Sequence, residues 1–84
     1  MFEKIVSVKA VDNLQLRAVF ENGEIREYDV RPLLETEPFR PLKEQPEKFF
    51  SVKPISGGSA VAWDDSMDIA SEEIWENGRA VDAG

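Results

Sequence analysis

From Ile5 to Val30, apolar and polar positions alternate with a period of two, the signature of half-buried strands. "IVSVKAV", Ile5 to Val11, is short and β-branched and predicts the first of them. From Leu14 to Phe20 the alternation is strict: Leu14, Leu16, Ala18 and Phe20 share one face, Gln15, Arg17 and Val19 the other. A third strand is predicted from Glu24 to Val30. Parity selects the turn between them. A two-residue Asn22-Gly23 turn would send Tyr28 and Val30 to the face opposite Leu14 and Leu16. A three-residue Glu21-Asn22-Gly23 loop, with Gly23 left-handed as a bulge, pairs Phe20 with Glu24 and keeps one continuous apolar face.

After Val30 the alternation stops and prolines punctuate the chain. Pro32 suits the first position of a short helix carrying Leu33 and Leu34, and Pro38 ends it. A second helical piece starts at Pro46, with Glu47 in its first turn and Phe49 or Phe50 offered to the core. "VKPIS" and "SAVAW" predict two more strands joined at Gly57-Gly58, the first demoted to an edge by Pro54. Ser71 to Asn77 predicts a capped helix. Ser71 serves as its N-cap, Glu72 and Glu73 favour its positive end, and Ala70 and Trp75 stand at staple spacing. Ile74 and Trp75 are its candidates to face the sheet, Gly78 is its left-handed stop, and residues 79–84 are a frayed tail. The sum is one α+β domain over residues 1–84, a mostly antiparallel sheet of about five strands with two or three short helices on one face.

Composition narrows the chemistry. The chain has neither cysteine nor histidine, which removes disulfides, thiolate nucleophiles, the commonest general base and the commonest metal ligand. Seventeen acidic residues against ten basic give a net charge of −7, which repels nucleic acid and anionic membrane at long range. With no signal-peptide pattern and no long apolar run, the expected setting is the cytoplasm. No cofactor is expected, and the chain is expected not to be an enzyme. The mildly basic middle, Arg40, Lys43, Lys48 and Lys53, is interrupted by Glu44 and Glu47 and reads as a solvated mixed-charge face.

The densest acidic stretch is "WDDSMDIASEEIWENG", Trp63 to Gly78. Asp64-x-Ser66-x-Asp68 begins as a calcium loop would, but Ile69 stands where the sharp turn needs glycine and Trp75 where the bidentate glutamate belongs. A carboxylate pair for acid and base work has no visible cleft to split its pKa values. Asp64, Asp65 and Asp68 are assigned to the turn that precedes the last helix. Trp63 and Trp75 suit a small core, and tryptophan is also a frequent interface anchor.

The order of "LQLRAVFENGEIREYDVRPLL", "FRPLKEQPEKFFSV" and "AVAWDDSMDIASEEIW" resembles the small bacterial domain-of-unknown-function family 2442. The matching features are Phe20 to Gly23, Asp29 to Leu34, Phe39 to Leu42, and Trp63 with Asp68 and Ile69. The departures are Ser66 in place of a frequent glycine and Trp75 in place of a usual tyrosine. The resemblance implies a compact α+β domain without an established activity. It also implies relatives that carry a helix-turn-helix addition, for which this chain is expected to lack room, and relatives encoded beside another small protein in a toxin and antitoxin manner.

The leading functional expectation is a non-catalytic protein-interaction module, antitoxin-like or regulatory, whose partner is a protein and, by charge, a basic one. Its candidate surface is Trp63, Asp64, Asp65, Asp68 and Glu72. The rivals are a regulator reaching nucleic acid through a partner or oligomer, a carboxylate or metal-dependent enzyme, and self-assembly through an edge strand, Ile5 to Val11 or the Pro54 strand.

Overall fold

Strands β1 (Ile5–Val11), β2 (Gln15–Phe20) and β3 (Ile25–Asp29) form an antiparallel meander in the computed structural model, which describes residues 3–81. The three-residue loop is present. Gly23 has a φ of 88°, its amide bonds to the Phe20 carbonyl, and Leu16 stands opposite Tyr28. Leu16, Ala18, Phe20, Tyr28 and Val30 are accordingly all buried. At the other end of β2, Leu14 packs on the core from a loop, with Asn13 and Leu14 both left-handed. Val11 pairs with Gln15, so the three residues between them have to reverse the chain, and the strand starts one residue later than its apolar pattern.

Residues 31–51 make a chain of short helical turns: 3-10 segments Arg31–Glu35 and Glu37–Phe39, helix α1 (Arg40–Glu44) and a 3-10 segment Pro46–Ser51. Pro38, expected to end a helix, opens the next turn instead, and Pro41 opens α1. Proline lacks an amide hydrogen and has a pre-set φ, so a helix's first turn loses nothing by holding it. Leu34, Phe39, Leu42 and Phe49 are the buried residues of this layer.

Strands β4 (Lys53–Ile55), β5 (Ala60–Asp64) and β6 (Met67–Ala70) form a second antiparallel sheet in the order β4-β5-β6, with Pro54 on its edge strand. Its inner residues Val61, Trp63, Met67 and Ile69 join the first sheet's face in one core. The α+β class and antiparallel pairing are those the sequence predicts, and the strands are divided between two sheets.

Helix α2 (Ser71–Asn77) docks by Ile74, which is fully buried, and by Trp75, whose ring meets Phe20 edge-on at 5.0 Å. Arg26 lies 4.3 Å over the Trp75 ring and donates to the Trp75 carbonyl at 2.7 Å. Two details differ from expectation. Ala70 occupies the cap position and no side chain caps the helix, because Ser71 is buried and its amide bonds to the Ser59 carbonyl. Gly78 is extended rather than left-handed, and what requires glycine there is space, since a Cβ would collide with the Ile74 carbonyl oxygen. The tail is also corrected. Arg79–Val81 form β7, which pairs with β3 and completes a four-stranded sheet β1-β2-β3-β7, and residues 82–84 lie outside the described residues. Docking of α2 delivers the chain to the β3 edge, a consequence of tertiary contact that three residues of local pattern do not encode.

Candidate functional site

The acidic stretch is a β-hairpin end followed by a helix. Asp64 closes β5, Asp65 and Ser66 turn the chain, and Asp68 lies on β6, a strand where the sequence predicted only a turn. Asp68 and Ala70 are exposed while Met67 and Ile69 are buried, the alternation of a strand with one solvated face. Asp64 Oδ1 accepts from the Ser66 amide at 2.8 Å and from its hydroxyl at 2.9 Å, and Oδ2 faces Lys48 Nζ at 3.0 Å. The Ser66 amide first, then Lys48, hold the Asp64 carboxyl down at about 2. Asp64 is thus the turn's internal fastener.

Asp64, Asp65 and Asp68 do come together, with Lys53, Ile55 and Ala62, around a depression of about 250 Å³ on the outer face of the second sheet. Trp63 contributes to its floor and is otherwise a core residue. It is 6% exposed, stacks on Phe49, meets Phe39 edge-on, and donates its indole N–H to the Phe49 carbonyl at 2.9 Å. With its polar atom committed inside, Trp63 supports the surface from below and is not an exposed anchor. Glu72 is exposed on the first turn of α2, outside that depression. Among the described residues there is no group of three or more acidic side chains arranged to hold a metal ion.

Glu73, one residue further and about 100° round the helix, does line a depression. It shares with Asp68 a second one of about 350 Å³, walled by Leu33, Phe39 and Ile69. Tyr28 donates its hydroxyl to Glu73 Oε2 at 2.8 Å. Sequence reading missed Glu73 because the choice between two adjacent glutamates depends on helix rotation. Burial first, then the Glu73 hydrogen bond and charge, raise the Tyr28 hydroxyl above the ordinary tyrosine value of 10.0. A pKa raised by folding contributes stability that is full below the unfolded pKa and is lost as pH rises toward the folded one. Tyr28 is the single tyrosine, so phenolate absorbance reports it alone. Its onset in the folded protein is expected well above pH 10, and Glu73→Gln is expected to move that onset downward; an unshifted onset in both proteins would contradict the contact.

A third depression, of about 500 Å³, lies on the outer face of the first sheet and holds Arg17, Arg31 and Arg79. Their charges are committed. Glu27 accepts from Arg17 Nε at 2.9 Å and from Arg79 at 2.6 Å, and Asp29 accepts from Arg31 at 2.9 Å through both oxygens. Arg31 also holds the Asp29 carboxyl below the usual carboxylate range. Arg26 pairs with Glu24 and Arg40 with Glu37, so all five arginines face carboxylates of their own chain. By contrast, Asp65, Asp68 and Glu72 face no cation within ion-pair distance among the described residues. No helix among them is long and apolar enough to cross a membrane.

No curated protein matches the chain. Among solved structures, the chain is similar to the crystal structure of a "putative DNA binding protein NE0471" from Nitrosomonas europaea ATCC 19718. The identity is 26% and the TM-score 0.76, over 89% of this chain and 48% of the other. The chain therefore spans about half of that neighbour's length. A family model matches residues 5–80, nearly all of the fold described above, and on that match the chain belongs to the family described as protein of unknown function (DUF2442).

Proposed function

We propose that this domain is a non-catalytic, cytoplasmic protein-interaction module, an antitoxin-like or regulatory partner of another small protein, whose acidic end receives a basic surface. One observation carries the reading: the arginines are all paired internally, whereas Asp65, Asp68 and Glu72 face no cation within ion-pair distance among the described residues. Arginine is the residue best suited to phosphate, and a domain that spends every arginine on its own carboxylates is poorly equipped to grip a nucleic-acid backbone. The absence of histidine and cysteine supports a non-catalytic role. Uncompensated carboxylates steer a basic partner and set its register.

The test is affinity purification of tagged protein from its own cell at moderate salt, beside the double variant Asp65→Lys, Glu72→Lys. A small basic partner retained by the wild type and weakened at least ten-fold in the variant is the expected result. Recovery of the domain alone would overturn the reading.

The similarity to the Nitrosomonas protein favours a second reading, a regulator that reaches DNA through a partner or an oligomer. It requires salt-dependent DNA binding that appears only with the partner present; no shift at low salt, with or without partner, would end it.

A further inference from the structure

The open edge of β6 is a built surface. The second sheet has two edges, and they differ. On β4, Pro54 removes a main-chain donor, a common way of blunting an edge. On β6 there is no proline. Ser71 donates its amide to the Ser59 carbonyl at 2.8 Å, which fixes the phase of the β5–β6 ladder. Hydrogen-bonded and non-bonded pairs alternate along an antiparallel ladder, so Val61 and Ile69 are the next bonded pair. The amides of Asp68 and Ala70 therefore point away from β5. Among the described residues no hydrogen bond from another element reaches either amide. Beside this edge runs the groove walled by Leu33, Phe39, Ile69 and the Tyr28 ring, with the carboxylates of Asp68 and Glu73 along it.

We infer that β6 takes an extended, basic peptide segment of a protein partner as an added antiparallel or parallel strand. Main-chain bonds to Asp68 and Ala70 would hold it, apolar side chains would enter the groove, and lysine or arginine would meet Asp68 and Glu73. Four residues of β6 offer about 13 Å of edge, enough for four residues of a guest strand. Charge selects the occupant. A second copy of this chain pairing there would bring Asp68 and Glu73 against their own counterparts, and like charges on adjacent strands repel, whereas alternating basic and apolar residues match both rim and groove. The inference rests on the interaction-module reading and supplies its docking mode.

The probe is a labelled, end-capped octapeptide of alternating lysine and valine, with two controls: glutamate in place of lysine, and methylated amides at alternate residues. Binding is followed by fluorescence anisotropy, and the site by amide hydrogen exchange. The expected result is saturable binding by the lysine peptide, loss of at least ten-fold with either control, and at least ten-fold slower exchange at the Asp68 and Ala70 amides. Ala70→Pro should abolish that binding at little structural cost, because Ala70 already has a φ of −66° and its amide is unused in the ladder. Asp68→Lys provides a variant that leaves the backbone intact and should weaken binding at least ten-fold. Absence of binding, protection elsewhere, or equal binding by both variants would overturn the inference. The same Ala70→Pro protein in the cell purification separates the two proposals. A partner retained undiminished would leave the module reading standing and reject the β6 edge, whereas no partner from wild type would reject the module reading itself.

Discussion

Phe49→Ala is expected to cost about 3–5 kcal/mol of folding free energy, and Phe50→Ala to stay within about 0.5 kcal/mol. The two residues are adjacent and chemically identical, so the difference isolates position. Phe49 is 1% exposed and stacks on Trp63, and Phe50 is 67% exposed. Truncating Phe49 removes a ring from the one core and leaves a cavity beside Trp63, whose indole N–H donates to the Phe49 carbonyl. A domain of this size has on the order of 5–10 kcal/mol in total, so this single change approaches global unfolding. Urea midpoints for the two variants and the wild type measure it. Equal costs for the two phenylalanines would mean that the Pro46–Ser51 segment presents a different face to the core.

Gly58→Ala is expected to destabilise by about 3 kcal/mol, against about 1 kcal/mol for Gly57→Ala. Both glycines are left-handed, with φ of 97° and 68°, so both substitutions incur the backbone cost of placing a Cβ there. The environments differ. Among the described residues nothing lies within 4 Å of a Cβ at Gly57, whereas one at Gly58 would sit 2.5 Å from the Ile5 carbonyl oxygen and 3.0 Å from the Ile5 nitrogen. Those are main-chain atoms of β1, which cannot swing aside as a side chain can. Thermal or urea unfolding of the two variants decides the matter, and similar losses would show that the loop between β4 and β5 relaxes away from β1.

Much of the first half was legible because period-two alternation and turn parity act locally. Once Phe20 and Glu24 are paired around Gly23, the faces of Tyr28 and Val30 follow without knowledge of the rest of the chain. The Gly57-Gly58 turn and the edge position of Pro54 were readable for the same reason. Strand β6 was not. "MDIA" is four residues, its alternation is real, but it sits inside an acidic stretch that also satisfies a turn and a helix start. β7 depends on where α2 docks, and α2 docks through Arg26 over Trp75, two residues far apart in the chain. In the candidate site, the three aspartates were assigned to one turn, whereas Asp64 closes β5 and Asp68 lies on β6, and the division of Glu72 and Glu73 between open solvent and groove required the helix phase. Trp63 shows the limit of residue type as a guide: the same enrichment that suggests an anchor suits a core, and burial settles which.

The run of prolines through residues 31–51 acts on the chain before it folds. Pro32, Pro38, Pro41 and Pro46 each stand in the first turn of a helical segment, and none is asked to donate a hydrogen bond. A covering layer made of such short turns has little cooperativity of its own, since a helix nucleus fixes several dihedrals for one bond. Each proline narrows the conformations open to the unfolded chain, an effect of about 0.4–1 kcal/mol where the native φ already suits it. The layer over the core is thereby held partly by what the denatured ensemble has lost, a contribution that no inventory of native contacts would reveal.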